Sequence, residues 1–310
     1  MQLRHVPIYL CIDILLFFKY TENDILIAEK WENFMKEQNG TMKNQAGKQI
    51  YTKTWLPDQT PKANIILVHG IGEYCERYGH VAEFLTGIGC AVYGFDHPGH
   101  GKSEGKRGCM RYADAFEIIN TLKGDLTKKY PEIPLIIYGH SMGGGVVLAY
   151  GTKYPEQVKG IIATSPAVGM ANPLKPGFVR VMRILGKLTP DLTISNGLPA
   201  DGISHDKAVV EKYQGDPLVH DKVSVALGLD LYDWGNTVAA RTEPYPVPLL
   251  VAQGSEDRLV DPVAAENFAL HAKGNVTYKR FEGGYHELHN EPNKQELFDA
   301  MAQWIDKVIN

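Results

Sequence analysis

The chain of 310 residues contains four cysteines, Cys11, Cys75, Cys90 and Cys109, with no Cys-x-x-Cys pair and none after Cys109. So few, so placed, exclude a disulfide framework and a cysteine zinc site as organising devices, and point to a chain that works reduced or without dependence on disulfides. An excess of one charge is missing as well. Lys and Arg number 32 against 36 Asp and Glu, for a net charge of -4, which argues against a dedicated nucleic-acid binder. No uninterrupted apolar run reaches the roughly 18 residues of a membrane-spanning helix. The nearest approach, residues 6–18, is broken by Asp13 and flanked by Arg4, His5 and Lys19. It has the positive flank of a signal peptide but no clear small-x-small cleavage site. Two readings stand for it: an extra segment packed on the fold or arising from the choice of start site, and a membrane-contacting or targeting segment. Internal repeats and low-complexity tracts are also lacking.

What is present suits one large α/β body. Hydrophobic residues make up 44% and charged residues 22%, enough for a sizeable core. The 31 glycines and 18 prolines fall between short apolar runs, as strand-to-helix turns require. Runs at residues 50–56, 65–68, 90–95, 135–138, 158–164, 247–252 and 276–281 read as strands. Most are apolar on both faces and are separated by helical stretches, which predicts a mostly parallel sheet covered by helices. At the C-terminus, Leu297, Met301, Trp304 and Val308 trace one helix face, with Asn293 as its expected cap and Glu296 at capping-box spacing. Between residues 165 and 244 the strand rhythm stops, which predicts a helical insertion. Its first helix, 176–188, carries Phe178, Val181, Met182, Leu185 and Leu188 on one face, with Lys175, Arg180, Arg183 and Lys187 largely elsewhere. That pattern serves either a cap helix packed on the body or a helix lying on a lipid surface. The expected organisation is an extension at 1–38, a core at 39–167 and 241–310, and a cap at 168–240.

The chemistry centres on Gly139-His140-Ser141-Met142-Gly143, which follows the 135–138 run and precedes a buried helical stretch. A nucleophile elbow needs this context, because the turn is too tight for side chains two positions either side of the serine. Ser141 is the expected nucleophile. In such elbows the order is serine, acid, histidine. Asp257, beyond the 247–252 strand, is the expected acid, with Glu256 and Asp261 as competitors. His286, after the last strand, is the expected base, with His289 as competitor. The backbone N–H groups of Met142 and Ile71 are the expected oxyanion donors. Three other patterns fail on inspection. Gly70-Ile71-Gly72 lacks the third glycine of a dinucleotide fingerprint, since Cys75 stands there. Gly101-Lys102-Ser103 lacks the first glycine of a P-loop, since Asp96 stands there. His286-Glu287-Leu288-His289 lacks the spacing of a metalloprotease helix, and Glu287 is expected to face a neighbouring side chain. His205 and His220 are expected to serve as surface or packing groups. Asn39 and Asn275 open glycosylation-type triplets, whose use would need a secretory route.

Six segments resemble the α/β-hydrolase superfamily, and more narrowly its monoacylglycerol lipase and lysophospholipase group: residues 69–78, 96–103, 139–144, 216–219, 254–261 and 285–288. The resemblance implies the α/β-hydrolase fold with a cap inserted late in the chain, an apolar acyl channel, and a small polar pocket for the glycerol side. It places Glu73, Arg77 and His140 at positions that shape or line that polar end. The implied reaction is hydrolysis of monoacylglycerol through an acyl-enzyme, with no cofactor and no metal. Lysophospholipid or short-chain ester hydrolysis is the first alternative; peptide or amide hydrolysis, or a silent interaction protein, are more distant. The implied partner is a lipid ester, with no nucleic acid. Peripheral membrane contact would come from the cap helix or the N-terminal extension of an otherwise cytoplasmic protein. Homo-oligomerisation stays open.

Overall fold

The computed structural model describes residues 35–170 and 174–310; Cys11 and the apolar segment at 6–18 lie outside them. The chain runs through strands β1 (Lys36–Lys43), β2 (Gln49–Leu56) and β3 (Ala63–Val68), helix α1 (Gly79–Gly87), β4 (Cys90–Phe95), α2 (Tyr112–Lys129), β5 (Leu135–His140), α3 (Met142–Lys153) and β6 (Gly160–Thr164). Then follow α4 (Pro176–Leu188), β7 (Thr193–Ser195), α5 (Lys207–Gly215), β8 (Lys222–Ser224) and α6 (Val225–Ala239). The last elements are β9 (Tyr245–Gly254), α7 (Pro262–His271), β10 (Gly274–Phe281) and α8 (Gln295–Ile309).

Eight strands form one sheet in the order β1-β2-β4-β3-β5-β6-β9-β10. β1 and β2 pair antiparallel, as do β2 and β4, and every other neighbour is parallel. The apolar runs explain the burial. Successive side chains of a strand point to opposite faces, so Ile66, Val68, Ile137, Ala163 and Val251 join one core with α2, α3, α6 and α7. Ile65, Leu67, Ile136, Tyr138, Ile162 and Leu250 join a second core with α1 and α8. The parallel strands are thus apolar on both sides because helices cover both sides.

The strand order reverses beside β3: the chain steps to β4 on one side, then crosses to β5 on the other. That switch leaves a crevice beyond the carboxyl ends of β3 and β5, where α/β proteins bind ligands. The expected fold class, a mostly parallel sheet flanked by helices with a late helical insertion, is the observed one. Three local expectations are corrected. The boundary between residues 38 and 39 falls inside β1, a mostly polar, mostly exposed edge strand in which only Met42 is half-buried against the core. Asn293 does not cap α8 through its side chain. Lys294 holds the cap position, and the Asn293 amide instead reaches the Glu296 carboxylate at 3.2 Å. The apolar face of α4 is only partly turned to the body. Val179 and Met182 are buried, whereas Phe178, Val181, Ile184 and Leu188 are 45%, 52%, 56% and 73% exposed.

Candidate active site

Ser141 sits between β5 and α3 with φ 56° and ψ -119°, a conformation costly for a residue with a Cβ and characteristic of functional turns. The fold holds it there by consuming its backbone groups. Its N–H donates to Thr164 O at 3.0 Å, and its carbonyl accepts the N–H groups of Gly145 and Ala167, each at 3.0 Å. The flanking glycines are required by space. A Cβ on Gly139 would come within 2.3 Å of Gly143 O, and one on Gly143 within 2.1 Å of Val68 O.

Asp257 and His286 come together from the loops after β9 and β10. His286 Nδ1 lies 2.8 Å from Asp257 Oδ2, and both residues are buried. Burial alone would push the Asp257 carboxyl up, but His286 and the Leu259 and Val260 N–H groups outweigh it and hold the carboxyl low. An ionised carboxylate only accepts, so Nδ1 carries the proton and Nε2 is left basic. For His286 the balance also goes against burial. Burial disfavours the imidazolium, yet Asp257 and then Glu287 and Glu73 raise its pKa above the ordinary histidine value. Gly254 lets the two loops meet, since a Cβ there would lie 2.3 Å from Gly284 O. The competitors have other places. Glu256 is exposed, Asp261 caps α7 through Val263 N–H at 2.9 Å, and His289 stacks on Tyr78 with a ring separation of 4.8 Å.

Met142 opens α3, where the helix supplies no acceptor for its N–H. Ile71 N–H has no partner among the described residues. Gly70 brings the Ile71 loop close, for a Cβ there would stand 3.3 Å from Ser141 Cβ. Ser141, Ile71 and Met142 line a cavity of about 160 Å³, whose wall is mostly apolar and includes Phe178, Val179 and Met182 of α4. Glu73, Arg77 and His140 do not line this cavity. They are packed behind it: His140 Nδ1 meets Thr164 Oγ1 at 3.1 Å, and Arg77 pairs with Glu73 and with Glu287. Burial, with neighbouring His286 adding to it, pushes the His140 pKa down to about 3. His140 is therefore neutral at physiological pH.

Residues 59–293 match the family described as serine aminopeptidase, S33. A monoacylglycerol lipase of Mycolicibacterium smegmatis is 38% identical over 263 residues, covering 84% of this chain and 93% of that one. The chain belongs to the monoacylglycerol lipase family of α/β-hydrolases. The solved monoacylglycerol lipase of Paleococcus ferrophilus superposes with a TM-score of 0.77 at 33% identity, covering 84% of this chain and 98% of that one. A phospholipase of Bacillus subtilis is 32% identical over 260 residues, covering 83% of this chain and 99% of that one. Membership of this lipase family makes the chain a serine hydrolase acting on carboxylic esters. Among the described residues no helix is long and apolar enough to cross a membrane.

Two residues of this site carry no motif. Ser165, with φ 43°, donates its hydroxyl to His286 O at 2.7 Å and so braces the His286 loop. Gln253 donates to Asp257 Oδ2 at 3.0 Å. The Ser165 partner lies 121 residues away, and although Gln253 stands only four residues before Asp257, no motif pairs the two. Glu287 does face a neighbour, and that neighbour is Arg77.

Proposed function

We propose that this protein hydrolyses monoacylglycerol, releasing a fatty acid and glycerol through an acyl-enzyme on Ser141. The observation that carries the reading is the 2.8 Å His286–Asp257 pair behind a strained serine that opens into an apolar cavity. Ser141 Oγ attacks the ester carbonyl while His286 Nε2 takes its proton, and Asp257 holds the tautomer and the imidazolium. The N–H groups of Ile71 and Met142 receive the oxyanion. The imidazolium then protonates the departing glycerol oxygen. Water repeats the attack with His286 as base, which frees the acid and restores the serine. The apolar wall takes the acyl chain, and Glu73, Arg77 and His140 shape the polar end from behind.

The 168–240 insertion acts as a cap, and α4 rests on the lipid surface. Phe178, Val181, Ile184 and Leu188 project from it, with Lys175, Arg180 and Lys187 as cationic flanks suited to anionic headgroups. The protein is then cytoplasmic with peripheral membrane attachment. Lysophospholipid is the second substrate reading, favoured by the similarity to the Bacillus subtilis phospholipase.

A substrate panel on purified protein tests this, comparing glycerol monoesters of graded length with lysophospholipids, p-nitrophenyl esters and peptide amides. We expect monoacylglycerol to lead, and Ser141→Ala to lower kcat by on the order of 10⁶-fold. Equal hydrolysis by wild type and variant overturns the mechanism. Lysophospholipid turnover far above monoacylglycerol turnover overturns the substrate and leaves the triad.

A further inference from the structure

One guanidinium joins the two loops that must cooperate. The turn Cys75–Tyr78 carries Arg77 into the interior, where its side chain and those of Glu73 and Glu287 are almost fully buried. Arg77 Nη1 and Nη2 each donate to one oxygen of Glu287 at 2.9 Å, a two-pronged pair, and Nη1 also donates to Glu73 Oε2. The other Glu73 oxygen accepts Gly70 N–H and the Tyr78 hydroxyl, each at 2.7 Å. Glu73 is thereby fastened to the loop that carries Ile71. Glu287 follows His286 in the chain. Its Oε2 accepts the Asn290 amide at 2.7 Å, and its backbone N–H donates to Ile203 O of the insertion at 2.7 Å. The face of the guanidinium lies on the Tyr213 ring at 4.8 Å.

We propose that Glu287, locked by Arg77, is a positioning residue for the base: it fixes the His286 loop against the oxyanion loop and supplies, beside Asp257, a second buried carboxylate that favours the His286 imidazolium. This rests on the reading of His286 as the general base.

Two carboxylates face one cation, and their surroundings move them in opposite directions. Burial, with Glu287 as a like charge, raises the Glu73 carboxyl although Arg77 opposes this. Burial acts on Glu287 too, but there the Arg77 guanidinium prevails and holds the carboxyl low. The two-pronged Arg77 pair and the Asn290 amide hold Glu287 as an anion. The other titratable groups around His286 are Asp257, Glu73, Arg77, His140 and His289. Burial keeps His140 and His289 neutral. Since an imidazolium forms when Ser141 gives up its proton in acylation and again when water gives up its proton in deacylation, a fixed anion beside it stabilises both acyl-transfer transition states.

The test is the pH profile of kcat/KM on a soluble p-nitrophenyl ester, with fluorophosphonate labelling of Ser141 and Tm measured alongside. Activity needs neutral His286, so the wild-type profile falls as pH drops through the raised histidine pKa. Glu287→Gln keeps the size and removes the charge. We expect its acid limb to move to lower pH and its plateau kcat to fall about 10-fold. Glu287→Asp keeps the charge and shortens the reach. We expect the limb to stay near the wild-type position while kcat falls. Arg77→Lys keeps the cation and loses the fork, with an expected loss in kcat and labelling rate of up to about 10²-fold, as a displaced reacting group produces. A Glu287→Gln limb in the wild-type position, with only Tm lowered, overturns the proposal and leaves Glu287 as packing. Wild-type activity in His286→Ala overturns the underlying assignment of the base together with it.

Discussion

The carboxyl ends of the sheet and the outer face of α4 handle apolar and polar groups in opposite ways. At the sheet ends, His140, Ser141, Asp257, His286 and Glu287 are all buried, and Asp257 alone accepts four hydrogen bonds. On α4, Val181, Ile184 and Leu188 project outward, Phe178 is half-exposed at the cavity wall, and Val179 and Met182 are buried. Buried polar groups without partners are costly, so the first region tolerates almost no rearrangement. Exposed apolar groups have no partner to lose, so the second can change its contacts without disturbing the core. Substitutions in the sheet ends should therefore appear in rate and stability, and substitutions on the outer face of α4 should appear only where lipid is present.

Four substitutions sharpen that contrast. Asp257→Asn removes the charge that holds the His286 tautomer, and kcat on a soluble ester should fall by on the order of 10⁴-fold with the fold retained. Gly143→Ala places a methyl group 2.1 Å from Val68 O, which should cost about 1–3 kcal/mol in chemical denaturation as the elbow shifts. Leu188→Ser, on the most exposed of the α4 side chains, should weaken binding to anionic vesicles about tenfold, the equivalent of about 1.4 kcal/mol. Its turnover of a soluble ester should equal that of wild type. A loss of soluble activity in Leu188→Ser would erase the contrast between the two regions. The smallest effect belongs to Asp261→Ala, which removes a helix cap and should lower stability by about 1 kcal/mol with kcat unchanged. A large kcat loss there would make Asp261, rather than Asp257, the acid.

The parallel strands were legible because each is a short run apolar on both faces, and the elbow because its glycines are dictated by backbone clearance. Elements without such a signature stayed hidden. β1 is polar but for Met42, since an edge strand can satisfy its backbone without burying a face. The three-residue strands β7 and β8 are too short for a period. The orientation of α4 is not legible because a wide apolar stripe does not say which part of it meets the body. The Arg77–Glu287 pair spans 210 residues and the Ser165–His286 contact 121. Both exist only because the strand order brings β3, β6 and β10 loops to one end of the sheet.

The insertion also contacts the Ile71 and His286 loops through its backbone. His220 N–H donates to Gly72 O at 2.8 Å, and a Cβ on Gly72 would lie 2.1 Å from His220 O. On the other side, Ile203 O accepts the N–H of Glu287. The insertion is thus not an interchangeable module that sets substrate choice alone. Grafting a cap from a relative onto this body would release the Ile71 and His286 loops together unless the graft supplied a donor to Gly72 O and an acceptor for Glu287 N–H. Selectivity and turnover in this enzyme cannot be engineered as separate variables.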